Sequence, residues 1–311
     1  MKKRPLGNTG KFVSEIGLGA WQLGNTKNGG TMTEREGIEI VEQALESGCN
    51  FFDTAPNYAL GKSERILGKA LDGKRDEVII SSKFGHHANG EIDFDPATIA
   101  PSVDDSLGRL KTNYLDCVLL HNPPFEYLNG ETEHFAELEK LKQAGKIDAY
   151  GVSVDTSEEM FAAMNQTNSQ VIEVMFNIFH QDPANAFQAA YEKGIGLIVK
   201  VPLDSGWLSG KYNAESTFAD IRSRWTPEII KMRTNMLEET KKYLNQNESL
   251  VKQAMAFILA YEQVSTVIPG AKSVAQLEEN FSAAGSSMDS ETVKQLQQMW
   301  ENELKDNSLP W

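Results

Sequence analysis

Four side chains in this sequence could together deliver a proton to a forming oxyanion: Asp53, Tyr58, Lys83 and His121. A phenol has an ordinary pKa of about 10 and is a weak acid near neutrality. An ammonium about 4 Å away favours the phenolate by roughly 4 kcal/mol at an effective dielectric constant of about 20. At about 1.4 kcal/mol per pKa unit, Lys83 is expected to lower Tyr58 by as much as about 3 units. Asp53 would keep Lys83 charged and fixed, and His121 would orient a carbonyl by hydrogen bonding. The combination is a general acid for an oxyanion developing from a carbonyl, with no need of a metal or a nucleophilic serine.

The elements that must carry these groups are legible in the hydrophobic pattern. Short apolar or β-branched runs lie near residues 16–19, 50–53, 78–83, 115–120, 149–154, 171–177, 197–201 and 266–268. Amphipathic segments alternate with them, the first over 34–47, preceded by Thr33 and Glu36 at capping-box spacing. Eight such units predict an α/β fold, a closed (β/α)8 TIM barrel, in a single domain over 1–311. A doubly wound sheet is the rival, but the turn Gly17-Leu18-Gly19-Ala20-Trp21-Gln22 lacks the third glycine of a dinucleotide fingerprint. Segments 2–6 and 11–13 predict an N-terminal hairpin capping the barrel bottom, 274–284 predicts the eighth helix, and 290–303 predicts an extra C-terminal helix. In this arrangement Asp53, Lys83 and His121 each end a consecutive strand, so they share one mouth, and Tyr58 lies on the loop after Asp53. Segments 122–131 and 203–227 are long for barrel loops and are expected to shape that mouth.

Composition excludes several classes. Thirty Lys and Arg against 44 Asp and Glu give a net charge of −14, which argues against nucleic acid or an anionic membrane as partner. No apolar stretch reaches membrane-spanning length and no signal sequence opens the chain, so the expected location is cytoplasmic. Cys49 and Cys117 sit in apolar runs and are expected to be buried thiols. Gly61-Lys62-Ser63 lacks the first P-loop glycine, because Pro56 stands there, and His86-His87 has no further ligands at metal spacing. No metal is expected.

The pattern resembles the aldo-keto reductase superfamily. Asp53-Thr54-Ala55-Pro56-Asn57-Tyr58 with Gly61 and Ser63-Glu64, Ser82-Lys83-Phe84-Gly85, Leu119-Leu120-His121 and 267–273 followed by 276–280 match its motifs in order from Leu6 to Asn280. The resemblance implies a barrel that binds NADPH, with NADH possible, and passes hydride to an aldehyde or ketone. Tyr58 would donate the proton, Lys83 and Asp53 would tune it, and His121 would position the carbonyl, with Trp21 beside Tyr58 and His121 in the substrate pocket.

Barrel phosphate sites use the loops after the last two strands. The resemblance puts Val201, Pro202, Leu203, Ser205, Gly206, Leu208 and Lys211 of the first loop at the cofactor. Pro269, Gly270, Lys272, Ser273, Gln276, Glu279 and Asn280 follow in the second, and Gly19, Ala20 and Trp21 complete the wall. Lys272 would meet a 2′-phosphate, although Gln276 stands where many members carry arginine. Three further departures fall at the nicotinamide: Val154 for the asparagine after Ser153, Glu173 for a glutamine, and Lys200 for a stacking tyrosine. Ser153 and Glu173 could still hold a carboxamide, and Lys200 would disfavour the oxidised, positively charged ring. Two other readings stay open: a Schiff-base lyase using Lys83 as amine, and a non-catalytic cofactor-sensing barrel subunit. The physiological substrate and the oligomeric state are not determined by the sequence.

Overall fold

The computed structural model describes residues 1–25 and 31–306; residues 26–30 and 307–311 of the expected domain lie outside the described residues. An antiparallel hairpin opens the chain, β1 (Lys3–Pro5) and β2 (Phe12–Ser14), with Lys3 opposite Ser14. Eight parallel strands follow: β3 (Leu18–Gly19), β4 (Phe51–Asp53), β5 (Ile79–Phe84), β6 (Leu115–His121), β7 (Ile147–Val154), β8 (Val171–Met175), β9 (Gly196–Lys200) and β10 (Val264–Val267). Their order in the sheet is their order in the chain, and bridges Ile16–Val267 and Gly19–Gly270 join the two edges. The fold is the (β/α)8 barrel read from the hydrophobic pattern.

Helices α1 (Glu34–Glu46), α2 (Lys62–Ala70), α3 (Ile99–Leu110), α4 (His134–Gln143), α5 (Ser157–Gln166) and α6 (Ala184–Glu192) separate the strands up to β9. Thr33 and Glu36 form the expected reciprocal cap on α1, and Thr156 and Glu159 repeat it on α5. Two helices stand between β9 and β10, α7 (Pro227–Lys241) and α8 (Leu250–Leu259), so the pattern was one helix short there. Helices α9 (Val274–Phe281) and α10 (Ser290–Met299) follow, and a π-helical turn over Trp300–Leu304 continues α10. Among the described residues no helix is long and apolar enough to cross a membrane.

Two apolar cores follow from the strand period. Outward residues pack under the helices in a large cluster that includes Phe52, Leu120, Tyr150 and Phe176. Inward residues Phe51, Ile79, Cys117, Leu119, Ala149, Val171 and Ile198 fill the barrel interior with Leu6 and Val13 of the hairpin. The hairpin is therefore a plug as well as a cap. Its turn needs Gly7, which has φ +51° and would place a Cβ 2.4 Å from the Gly194 carbonyl oxygen. Ion pairs fix the plug: Lys11 lies 2.6 Å from Asp116 and 2.7 Å from Asp148, at the bottoms of β6 and β7. Arg4 donates to the carbonyls of Leu259, Tyr261 and Val264, capping the C-terminal end of α8.

The loop carrying Tyr58 is held by a buried polar lock. Thr54 and Ser63 hydroxyls lie 2.9 Å apart, and Ser63 donates to the Ala20 carbonyl at 2.8 Å. Glu64, fully buried at the start of α2, accepts from Ser82 at 2.8 Å and from Arg109 at 2.5 Å. Arg109→Met leaves that carboxylate buried without its cation. The expected cost is about 3 kcal/mol of stability, measured by urea unfolding, and the double variant Arg109→Met/Glu64→Gln should regain a substantial part of it.

Candidate active site

Strand ends and left-handed loops aim the polar groups. Asp53 pairs in register with Ser81, two residues before Lys83, and His121 pairs with Ser153 on β7. After β4 the backbone passes through three consecutive left-handed residues, Ala59, Leu60 and Gly61. That reversal turns the chain into α2 immediately after Tyr58, at a strain cost of order 1 kcal/mol for each of the two non-glycine residues.

The four predicted residues come together. Lys83 Nζ is fully buried, 2.5 Å from Asp53 Oδ1, and donates to the Thr54 carbonyl at 3.1 Å. It lies 5.3 Å from the centre of the Tyr58 ring. The Tyr58 and His121 rings meet edge to face with centres 5.9 Å apart. A fifth group joins them: Glu173 Oε2 is 3.3 Å from Lys83 Nζ.

The electrostatics differ from the expectation in one respect. Burial pushes the Tyr58 phenol above its ordinary value, and the negative charges of Asp53 and Glu173 add to that rise. Lys83 pulls the other way and loses. The expected descent toward neutrality neglected desolvation and the second carboxylate; Tyr58 stays protonated in this centre. Burial pushes His121 well below its usual range, helped by Lys83, His86 and Lys200, so its imidazole is neutral. Its Nδ1 is buried and lacks a protein partner among the described residues. Lys83 is raised by Asp53 and Glu173 against the burial that opposes it, and remains an ammonium.

These groups lie at the floor of a groove of about 620 Å3 across the barrel mouth. Of the residues expected at the cofactor, Gly19, Trp21, Asp53, Glu173, Lys200, Val201, Pro202, Leu203, Ser205, Gly206 and Lys211 line it. So do Pro269, Gly270, Lys272, Gln276, Glu279 and Asn280. Four expected residues do not. Ala20 and Leu208 are buried in the core. Ser153 is buried beneath the floor and donates to Glu173 Oε1 at 2.8 Å. Ser273 is spent as the cap of α9, accepting from the Gln276 amide. Lys83 sits just below the surface, reached through Asp53 and Tyr58.

Lys200 is not a free cation. Its ammonium donates to Asn122 Oδ1 at 2.7 Å and Ser153 Oγ at 2.9 Å, and lies 3.0 Å from Asp155. An ion pair of this kind dampens the field expected at a nicotinamide. Groove residues missed in the sequence include Asn57, His86, Asn122, Asp155 and Arg222. Asn122 directly follows His121 and has φ +48°, which turns its carboxamide toward Ser153. Arg222 belongs to the long segment after β9, where it pairs with Asp220 and donates to the Tyr212 hydroxyl and, at 3.1 Å, to the Ser205 carbonyl. Loop length was its sole signal in the sequence.

The family model described as the aldo/keto reductase family matches residues 15–301. The chain belongs to the aldo/keto reductase family. It is 32% identical to the aldo-keto reductase YhdN of Bacillus subtilis (strain 168), covering 98% of this chain and 96% of that one. Identity is 27% to the NADH-specific methylglyoxal reductase of Escherichia coli (strain K12), over 97% and 99% of the two chains. The holo form of aldo-keto reductase AKR11C1 from Bacillus halodurans superposes with a TM-score of 0.82 at 29% identity, over 96% of each chain. Membership makes this protein an oxidoreductase of the nicotinamide-dependent, carbonyl-reducing kind.

One measurement checks the electrostatic reading. The His121 ring resonances should not titrate between about pH 5 and 8, the window in which an unperturbed imidazole changes charge; a midpoint near 6.5 would contradict a neutral, buried ring.

Proposed function

We propose that this aldo/keto reductase reduces a small aldehyde or ketone at the Tyr58–Lys83–His121 floor, with NADPH as the preferred cofactor. The buried cluster of phenol, ammonium and neutral imidazole beneath one groove carries the reading. A reduced nicotinamide supplies hydride when bound. Tyr58, kept protonated by burial, gives its hydroxyl proton to the forming alkoxide. Neutral His121 donates an N–H to the carbonyl oxygen and fixes its direction. Lys83 stabilises the phenolate left on Tyr58, and Asp53 holds Lys83 in place. Trp21, about one third exposed at the rim, forms part of the substrate wall. The chain is taken as one barrel domain.

The donor set at the other end of the groove suits a dinucleotide. Burial and the neighbouring charges of Arg222 and Lys211 depress the Lys272 ammonium, and Asp220 only partly offsets them. Cations crowded in this way are relieved by a phosphate. Three basic groups are more than a diphosphate needs, which favours the 2′-phosphorylated cofactor. Lys272→Ala and Arg222→Ala should each weaken NADPH binding about tenfold or more, the range of a charge-assisted hydrogen bond, and NADH binding much less. Equal losses for both cofactors, measured by nicotinamide fluorescence, would overturn the preference.

The Schiff-base reading conflicts with the floor itself, since Lys83 is held as an ammonium between the carboxyl groups of Asp53 and Glu173 and has no free electron pair. A purely cofactor-sensing barrel has no use for the assembled proton donor. Tyr58→Phe should lower the rate of NADPH-dependent aldehyde reduction by about 100-fold or more while leaving cofactor binding in place. Reduction at the wild-type rate would remove Tyr58 from the role.

A further inference from the structure

Strands β4 and β8 lie on opposite sides of the barrel, four places apart in the ring of eight. Their terminal carboxylates nevertheless meet. Asp53 Oδ1 and Glu173 Oε2 reach across the mouth to the same cation, 2.5 and 3.3 Å from the single ammonium of Lys83. Both are buried, at 2% and 1% exposure. Asp53 Oδ1 accepts from Lys83, and Glu173 Oε1 accepts from Ser153. Asp53 Oδ2 and Glu173 Oε2 are both buried and accept no hydrogen bond, although the Lys83 ammonium stands 3.3 Å from Oε2.

Two buried carboxyl groups flanking one ammonium and out of water do not both ionise. One proton held by the pair gives these oxygens a hydrogen bond they otherwise lack and leaves the Lys83 ammonium facing a single negative charge. We propose that Asp53 and Glu173 hold one proton between them, and that Glu173 is a positioning residue that sets the charge felt by Tyr58. The kinetic part of this proposal rests on the reductase reading above; the proton itself does not.

The charged surroundings support the assignment. Lys83 contacts both carboxyl groups, Lys200 reaches Glu173 through the Ser153 hydroxyl, and Tyr58 and Cys117 feel the charge of Asp53. Burial and the Glu173 charge drive Asp53 well up, whereas Lys83, Lys200 and Ser153 hold Glu173 down against its burial. The pair thus titrates as a unit, with the proton written on Asp53 and pointing at Glu173. Loss of that proton adds a second negative charge beneath Tyr58 and makes the phenol a weaker acid. Carbonyl reduction then slows as pH rises through that ionisation.

Infrared spectroscopy of the whole protein tests the proton directly. The neutral-minus-alkaline difference spectrum of the wild type should contain a protonated-carboxyl C=O band that shifts in D2O. The band should vanish in Glu173→Gln and in Asp53→Asn. Absence of the band from the wild type overturns the proposal whether or not the variants fold, and its persistence in folded Glu173→Gln does so too. In the kinetic arm, wild-type kcat/KM for aldehyde reduction should fall about tenfold per pH unit above one alkaline ionisation. Glu173→Gln should lose that limb, a change that mere loosening of the site would not produce. An unchanged limb in the variant overturns the positioning role. If the wild type showed the band but reduced no aldehyde, the reductase reading would fail and the shared proton would stand.

Discussion

A fully buried ammonium is the constraint on which the rest of this molecule depends. Lys83 has no access to water, and an isolated charge of that kind is too costly to keep. It survives because β4 and β8 bring carboxylates to it from opposite sides of the barrel and because the Thr54 carbonyl accepts a further N–H. None of these partners is near it in sequence. They meet because a closed sheet of eight strands points its ends into one small ring. Opening the barrel would strand the cation, so closure and the charged floor are the same requirement seen from two sides.

Much of this was legible in the chain. The eight hydrophobic runs fall within a few residues of the eight strands, because parallel strands buried on both faces read as continuous apolar segments. Asp53, Lys83 and His121 stood out because each is a titratable residue directly after such a run. What stayed hidden was contact between positions that share no local pattern. Glu173 lies inside a strand, 120 residues from Asp53 along the chain, and nothing near Val171 or Ile172 signals where its side chain points. Helix α7 was hidden for a related reason: its apolar positions are sparse between charged residues, and its start at Thr226 and Pro227 reads equally well as the end of a long loop.

The reversal of the Tyr58 expectation has a general physical cause. Pairwise Coulomb reasoning from sequence sees the ammonium and predicts a more acidic phenol. Burial acts on the phenolate alone and in the opposite sense, and it cannot be read without coordinates. In this centre desolvation, with the negative charge of the Asp53–Glu173 pair, outweighs one ammonium, so Tyr58 rests as a phenol. For a group that must hold a proton until a neighbouring oxygen becomes basic, that resting state is the useful one.

The hairpin plug has a consequence for traffic. Leu6 and Val13 fill the lower end of the barrel, and the described groove opens at the opposite mouth. Among the described residues the groove runs across the barrel mouth above Tyr58 and His121. A long ligand laid along it becomes part of the wall against which a smaller one is received.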